Sequence, residues 1–192
     1  MFLQKFKNLN FIYIVSFVML FIGSIIGGVY FLKLYPNSSD VADYLNSYVT
    51  QLKDGINTKA VIISSIKEYG ILSLLILISG FFKFGPLISF FLLIRKSFVM
   101  SFTLSAMISE YGLKGIIYNL HIIPQALLTM PVLMFFISVG ACYSVKHSIF
   151  NKKEKFIYII FSMLVFTIFC VSALAEGFLS TIFSKWLISR VT

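Results

Sequence analysis

Apolar residues run along this chain in long blocks, and polar residues interrupt the blocks at only a few places. The first block, residues 11–32, follows Lys5 and Lys7. A bilayer crossing takes ~20 apolar residues, so this block is long enough to span. Its charged front resembles a secretory leader, but the run is too long and no clean small-residue cleavage site follows. We therefore expect a retained first span with its N-terminus inside. Gly23, Gly27 and Gly28 give it a small-residue face suited to close helix contact.

Residues 34–68 form the long polar stretch. Pro36 ends the first span, and Ser39 followed by Asp40 and Asp43 reads as a helix start, with acids at the positive end of the dipole. Val41, Leu45, Tyr48, Leu52 and Ile56 then recur every three or four residues, which predicts an amphipathic helix broken near Asp54-Gly55. Such a helix lies on the bilayer or on its own spans, or its apolar face docks a partner outside the membrane. Four further spans are expected over 69–82, 87–109, 116–145 and 156–175, with an amphipathic tail at 178–190. The second is short unless a helix from Thr58 extends it. A rival assignment makes Ile71 to Ile94 one long kinked span, with Arg95 and Lys96 at its inner end.

Composition agrees with the pattern: 59% of the 192 residues are hydrophobic, only 12% are charged and 22 are Phe. Soluble domains carry about a quarter charged residues, so the expected class is an all-α polytopic helical membrane protein forming one integral domain in the lipid bilayer. The net charge of +9 sits at the ends of apolar runs and not on one basic face, so nucleic-acid binding is not expected. Lys146, His147, Lys152, Lys153 and Lys155 crowd one loop, the strongest inside signal in the chain. The segment 34–68 is nearly neutral, as suits the outer side.

Little in the sequence points to chemistry. Cys142 and Cys170 lie within apolar runs without CxxC spacing, and His121 and His147 are isolated. No metal, cofactor or catalytic set is expected. HExxH, nucleophile-elbow and P-loop motifs are absent, and all three Asp residues lie in the outer segment. Enzyme activity is therefore not expected.

The polar interruptions inside the spans remain. Lys83-Phe84-Gly85-Pro86 breaks a helix, because Pro cannot continue it and Gly permits the turn. Arg95 falls eight residues past Leu87, ~12 Å into the third span. An arginine at mid-membrane costs ~2.5–3.5 kcal/mol on insertion scales. It either snorkels to the inner surface or faces the bundle, holding backbone or a lipid phosphate. Glu176 is expected just past the fifth span, near the outer face. That depth is poorly matched to Arg95, and Lys114 or Lys33 is the better-placed partner. Pro124-Gln125 suggests a broken helix near the fourth span, as a structural kink or as the discontinuous helix of a transport site.

The order of these features resembles the stage II sporulation protein M family. The likeness rests on Gly85-Pro86-Leu87-Ile88, Phe91-Leu92-Leu93-Ile94-Arg95 and Phe98-Val99-Met100-Ser101-Phe102-Thr103. Gly112-Leu113-Lys114-Gly115, Pro124-Gln125, Leu127-Leu128-Thr129-Met130-Pro131 and Ala175-Glu176-Gly177 follow in order. The chain departs from the family at Lys96, where glycine is favoured, and at Ala126, where asparagine is usual. The resemblance implies a bacterial membrane protein acting in forespore engulfment. It implies a non-enzymatic scaffold that anchors two peptidoglycan-cleaving partners, the stage II sporulation proteins D and P. Val41, Leu45, Tyr48, Leu52 and Ile56 are then the expected docking face. A small permease or channel subunit built on the broken helices is the competing expectation.

Overall fold

The computed structural model describes residues 9–34, 43, 45–47, 50, 57–113, 115–116, 122–146 and 152–191. Among the described residues five long helices follow one another: α1 (Leu9–Leu34), α2 (Thr58–Ser79), α3 (Gly85–Tyr111), α4 (Ile122–Lys146) and α5 (Lys152–Val191). No strand occurs among the described residues. Four of these helices contain stretches long and apolar enough to cross a membrane: Leu9–Lys33, Thr58–Ser79, Gly85–Tyr111 and Lys152–Leu179. The apolar part of α4 is Thr129–Val145. Ile14, Phe17, Phe21 and Ile25 on α1 and Ile160, Met163, Leu164 and Val171 on α5 are exposed. An apolar belt of this kind is what lipid covers, and the chain is a multi-pass membrane protein.

Helix ends explain where the boundaries fall. α2 begins at Thr58 because Asn57 caps it, its side-chain oxygen accepting from the Lys59 and Ala60 amides at 3.2 and 3.4 Å. The second apolar helix therefore starts eleven residues before Tyr69 and carries Lys67 and Glu68 within it. α3 begins at Gly85-Pro86, where a proline's missing amide costs nothing in the first helical turn. Gly85 is pressed so closely on the Ser79 carbonyl that a side chain would overlap it. The Ser79 and Ser89 hydroxyls meet at 2.7 Å across the turn, and the Ser144 hydroxyl donates to the Phe82 carbonyl. Two antiparallel helices thus replace the rival single span over Ile71–Ile94.

α1 and α3 run parallel in the closest helix contact of the bundle. Gly23 lies against the Ile94 carbonyl, where an added Cβ would sit at 2.6 Å, and Gly27 lies against the Phe98 carbonyl. Phe31 meets Phe102 edge-on one turn further, with ring centroids 5.6 Å apart. Only a hydrogen in place of a side chain lets the two backbones approach this far, so the glycine face is used as its spacing suggests. Ser16 Oγ and Ser138 Oγ, 3.1 Å apart, join α1 to α4.

α5 runs antiparallel to α2 along the whole length of α2. Tyr158 lies on Gly80, the Tyr69 and Phe169 rings stack at 5.3 Å, Gly177 covers Ile62, and the Thr58 and Thr181 hydroxyls meet at the far end. The 40 residues of α5 span ~60 Å at ~1.5 Å per residue, well beyond a bilayer core. The tail expected at 178–190 is a continuation of this helix.

α4 supplies the centre of the core: Leu133, Met134, Phe136 and Ile137 pack against Leu72, Ile76, Leu93 and Phe169. Pro131 lies inside α4, whereas Pro124 falls in its first turn, so the break near Pro124 sits at the entry to the helix. Cys142 is a free buried thiol, and Cys170 is free and partly buried.

Candidate functional site

Charged side chains from three helices converge within the membrane-spanning part of the bundle. Lys96 on α3 donates from Nζ to Glu68 Oε1 of α2 at 2.6 Å. The same Nζ stands 5.1 Å from the centre of the Tyr69 ring, whose face is negative and attracts a cation. From α5, the Glu176 carboxylate accepts a hydrogen bond from the Ser65 hydroxyl and lies in the field of Lys96 and Glu68. Tyr69 in turn stacks on Phe169, so the aromatic floor of the cluster also spans α2 and α5.

Packing sets each of these positions. Ser65, Tyr69, Leu72 and Ile76 recur along α2 at helical spacing and are all buried, which turns this face toward α4 and α5. Glu68 stands beside that stripe on the α3 side and remains 57% exposed, whereas Lys96 is only 15% exposed. Both lie deep in the span. Glu68 is eleven residues, ~16 Å, from the Ser79 end of α2, and Lys96 is eleven residues from the Gly85 end of α3. Two carboxylates bracket one ammonium, and the hydroxyl and the ring complete its surroundings. Pairing of this sort is what makes ionised groups tolerable in hydrocarbon.

Several expectations shift at this point. Glu176 is inside the bundle and faces Lys96, not Lys114 or Lys33 at the outer face. It reaches that position because α5 continues past Ala175 and packs on α2 there. Arg95, singled out in sequence, is exposed and lines a cleft of about 180 Å³ with Glu68, Ile71, Leu75, Lys96 and Val99. Among the described residues it makes no hydrogen bond or ion pair. The paired membrane cation is its neighbour Lys96, and sequence reading missed it together with Glu68 and Ser65. A usable signal existed: Asn57-Thr58 is a cap placed before an apolar period that runs through Ser65 and Tyr69, which puts Glu68 inside a span.

The remaining site expectations are structural. Gly85 and Pro86 build the α2–α3 turn. The side chains of Pro124 and Gln125 lie outside the described residues, as do Val41, Tyr48, Leu52 and Ile56 of the expected docking face. Leu45, the described member of that set, is 2% exposed and so is withdrawn from any partner. Beside it the Tyr111 hydroxyl donates to Asn46 Oδ1 at 2.6 Å, tying the segment between α1 and α2 to the end of α3. Asp43, Asn46, Ser47 and Thr50 are exposed.

The architecture is that of a polytopic helical membrane protein whose internal charges bind helix to helix. The stage II sporulation protein M family model matches residues 16–181, and the chain belongs to that family. No curated protein and no solved structure matches it. The chain is a sporulation-related membrane protein.

Proposed function

We propose that this protein is a non-enzymatic scaffold of the engulfment machinery, anchoring peptidoglycan-cleaving partners at the bacterial cell membrane. The partners in this reading are the stage II sporulation proteins D and P. The family match over residues 16–181 carries the reading. It is supported by the way the bundle uses its polar groups. Lys96, Glu68, Glu176 and Ser65 hold α2, α3 and α5 together, as a rigid anchor requires. The N-terminus is cytoplasmic, with the Lys146–Lys155 loop on the same side by the positive-inside rule. The segment between α1 and α2, residues 35–57, then faces the cell wall and is the docking element. Val41, Tyr48, Leu52 and Ile56 are its apolar candidates, and Asp43, Ser47 and Thr50 offer exposed polar positions beside them.

Affinity capture of the tagged protein from sporulating membranes, followed by mass spectrometry, tests the proposal. Recovery of peptidoglycan hydrolases is the expected result. Recovery of an ATPase or other transporter subunits in their place overturns the scaffold and favours a permease.

A further inference from the structure

Arg95 poses a problem that the fold itself does not solve. It is ten residues, ~15 Å of helix, from the Gly85 end of α3, more than one extended arginine side chain spans. It is exposed and has no protein partner among the described residues. Snorkelling therefore leaves its guanidinium short of the surface. Beside it, at the same level, Glu68 accepts on Oε1 from the Lys96 ammonium and is itself more than half exposed. A carboxylate accepts on both oxygens, so Oε2 can take a second donor.

Cation and carboxylate thus stand side by side on one cleft, at one depth. A two-fold axis along the membrane normal keeps depth unchanged and turns such a face onto itself. Arg95 of one copy then meets Glu68 of the other, twice, by symmetry. Ile71, Leu75 and Val99, all exposed on the same cleft, close the apolar rim around the pairs. We infer that the α2–α3 cleft is the interface of a two-fold homodimer of this chain, locked by reciprocal Arg95–Glu68 pairs within the membrane. Lys67 also lies near this depth, but it is on a helix whose nearer end, Thr58, is nine residues away. Its side chain leans toward that end, away from the level of Arg95 and Glu68.

The inference stands independently of the scaffold reading and is tested on the full chain alone. Val99→Cys is introduced with the natural cysteines kept, and oxidative cross-linking in native membranes is compared with the parent protein. A covalent dimer is expected for Val99→Cys and none for Met163→Cys, which is exposed on α5 in a separate groove between α2 and α5. Adding Arg95→Gln, which removes no contact within one copy, should cut the Val99→Cys dimer at least fivefold. Native mass spectrometry from nanodiscs should show the same loss of dimer in Arg95→Gln without a cysteine present. A Val99→Cys cross-link that survives Arg95→Gln overturns the pairing. A cross-link to a different membrane protein overturns the homodimer. A monomer that carries an anionic phospholipid, lost in Arg95→Gln, overturns it too and assigns the guanidinium to a lipid phosphate.

Discussion

Replacing Lys96 with methionine keeps most of the apolar stem and removes the one cation that faces both Glu68 and Glu176. Within one copy the two carboxylates then lack the cation that packs between α2, α3 and α5. Breaking a buried pair by deleting one member typically costs ~3–5 kcal/mol, because the survivor stays buried and charged. Glu68 is 57% exposed at the cleft, and a stranded carboxylate relieves itself by taking a proton, so the low end applies. A loss of about 3 kcal/mol is expected for Lys96→Met. The double variant Lys96→Met/Glu68→Gln removes both halves of the closest pair and should recover more than half of that loss. Exchanging a whole ion pair for neutral groups is often close to neutral. Reversible unfolding in mixed micelles measures each step, with the single Glu68→Gln variant closing the cycle. A Lys96→Met protein within ~0.5 kcal/mol of the parent, a size typical of exposed pairs, would refute the claim that this cluster holds three helices together.

Other consequences follow from the packing. Gly27→Val drives a branched side chain into the Phe98 backbone and should cost more than the ~1–3 kcal/mol of ordinary overpacking, whereas Gly28→Ala meets only the Ser101 and Ser105 hydroxyls at 3.6 Å and should be tolerated. Thermal unfolding in detergent separates the two. A double-mutant cycle on Ser16→Ala and Ser138→Ala should give a coupling near ~0.6 kcal/mol, the usual worth of a hydroxyl pair between membrane helices. Gly112 closes α3 at φ 58° and ψ −137°, a conformation that side chains strongly disfavour, so Gly112→Ala should lower stability by about 1–3 kcal/mol although nothing lies within 4 Å to clash with the new methyl. Hydrogen exchange in the 108–116 turn reports that change locally.

The first and third helices were readable from hydropathy because their boundaries coincide with the ends of their apolar blocks: 11–32 against Leu9–Leu34, and 87–109 against Gly85–Tyr111. The second and fifth were not, for one shared reason. A charge in a hydropathy profile marks an end of a span, and Glu68 and Glu176 were read that way. Both are inside helices, Glu68 paired with Lys96 and Glu176 lying in the field of the same ammonium, and no local pattern shows a partner 28 or 80 residues away. The apolar spacing of Leu45 indicated an amphipathic helix but could not say which way its face turns. At Leu45 the structure answers this for that side chain alone, which is buried beside the Asn46–Tyr111 hydrogen bond to α3. The turn at Gly85-Pro86 was legible because its residues act through their own backbone geometry. The family likeness was legible in the order of weak motifs along the chain, and the match over residues 16–181 bears it out.

A scaffold of this kind must hold its wall-cleaving partners through the segment between α1 and α2. A photo-reactive amino acid placed in turn at Asp43, Ser47 and Thr50, all exposed, reports what touches that surface in sporulating cells. The scaffold reading expects adducts with peptidoglycan hydrolases from at least one position. Adducts confined to lipid and to this protein's own helices at all three positions would contradict it.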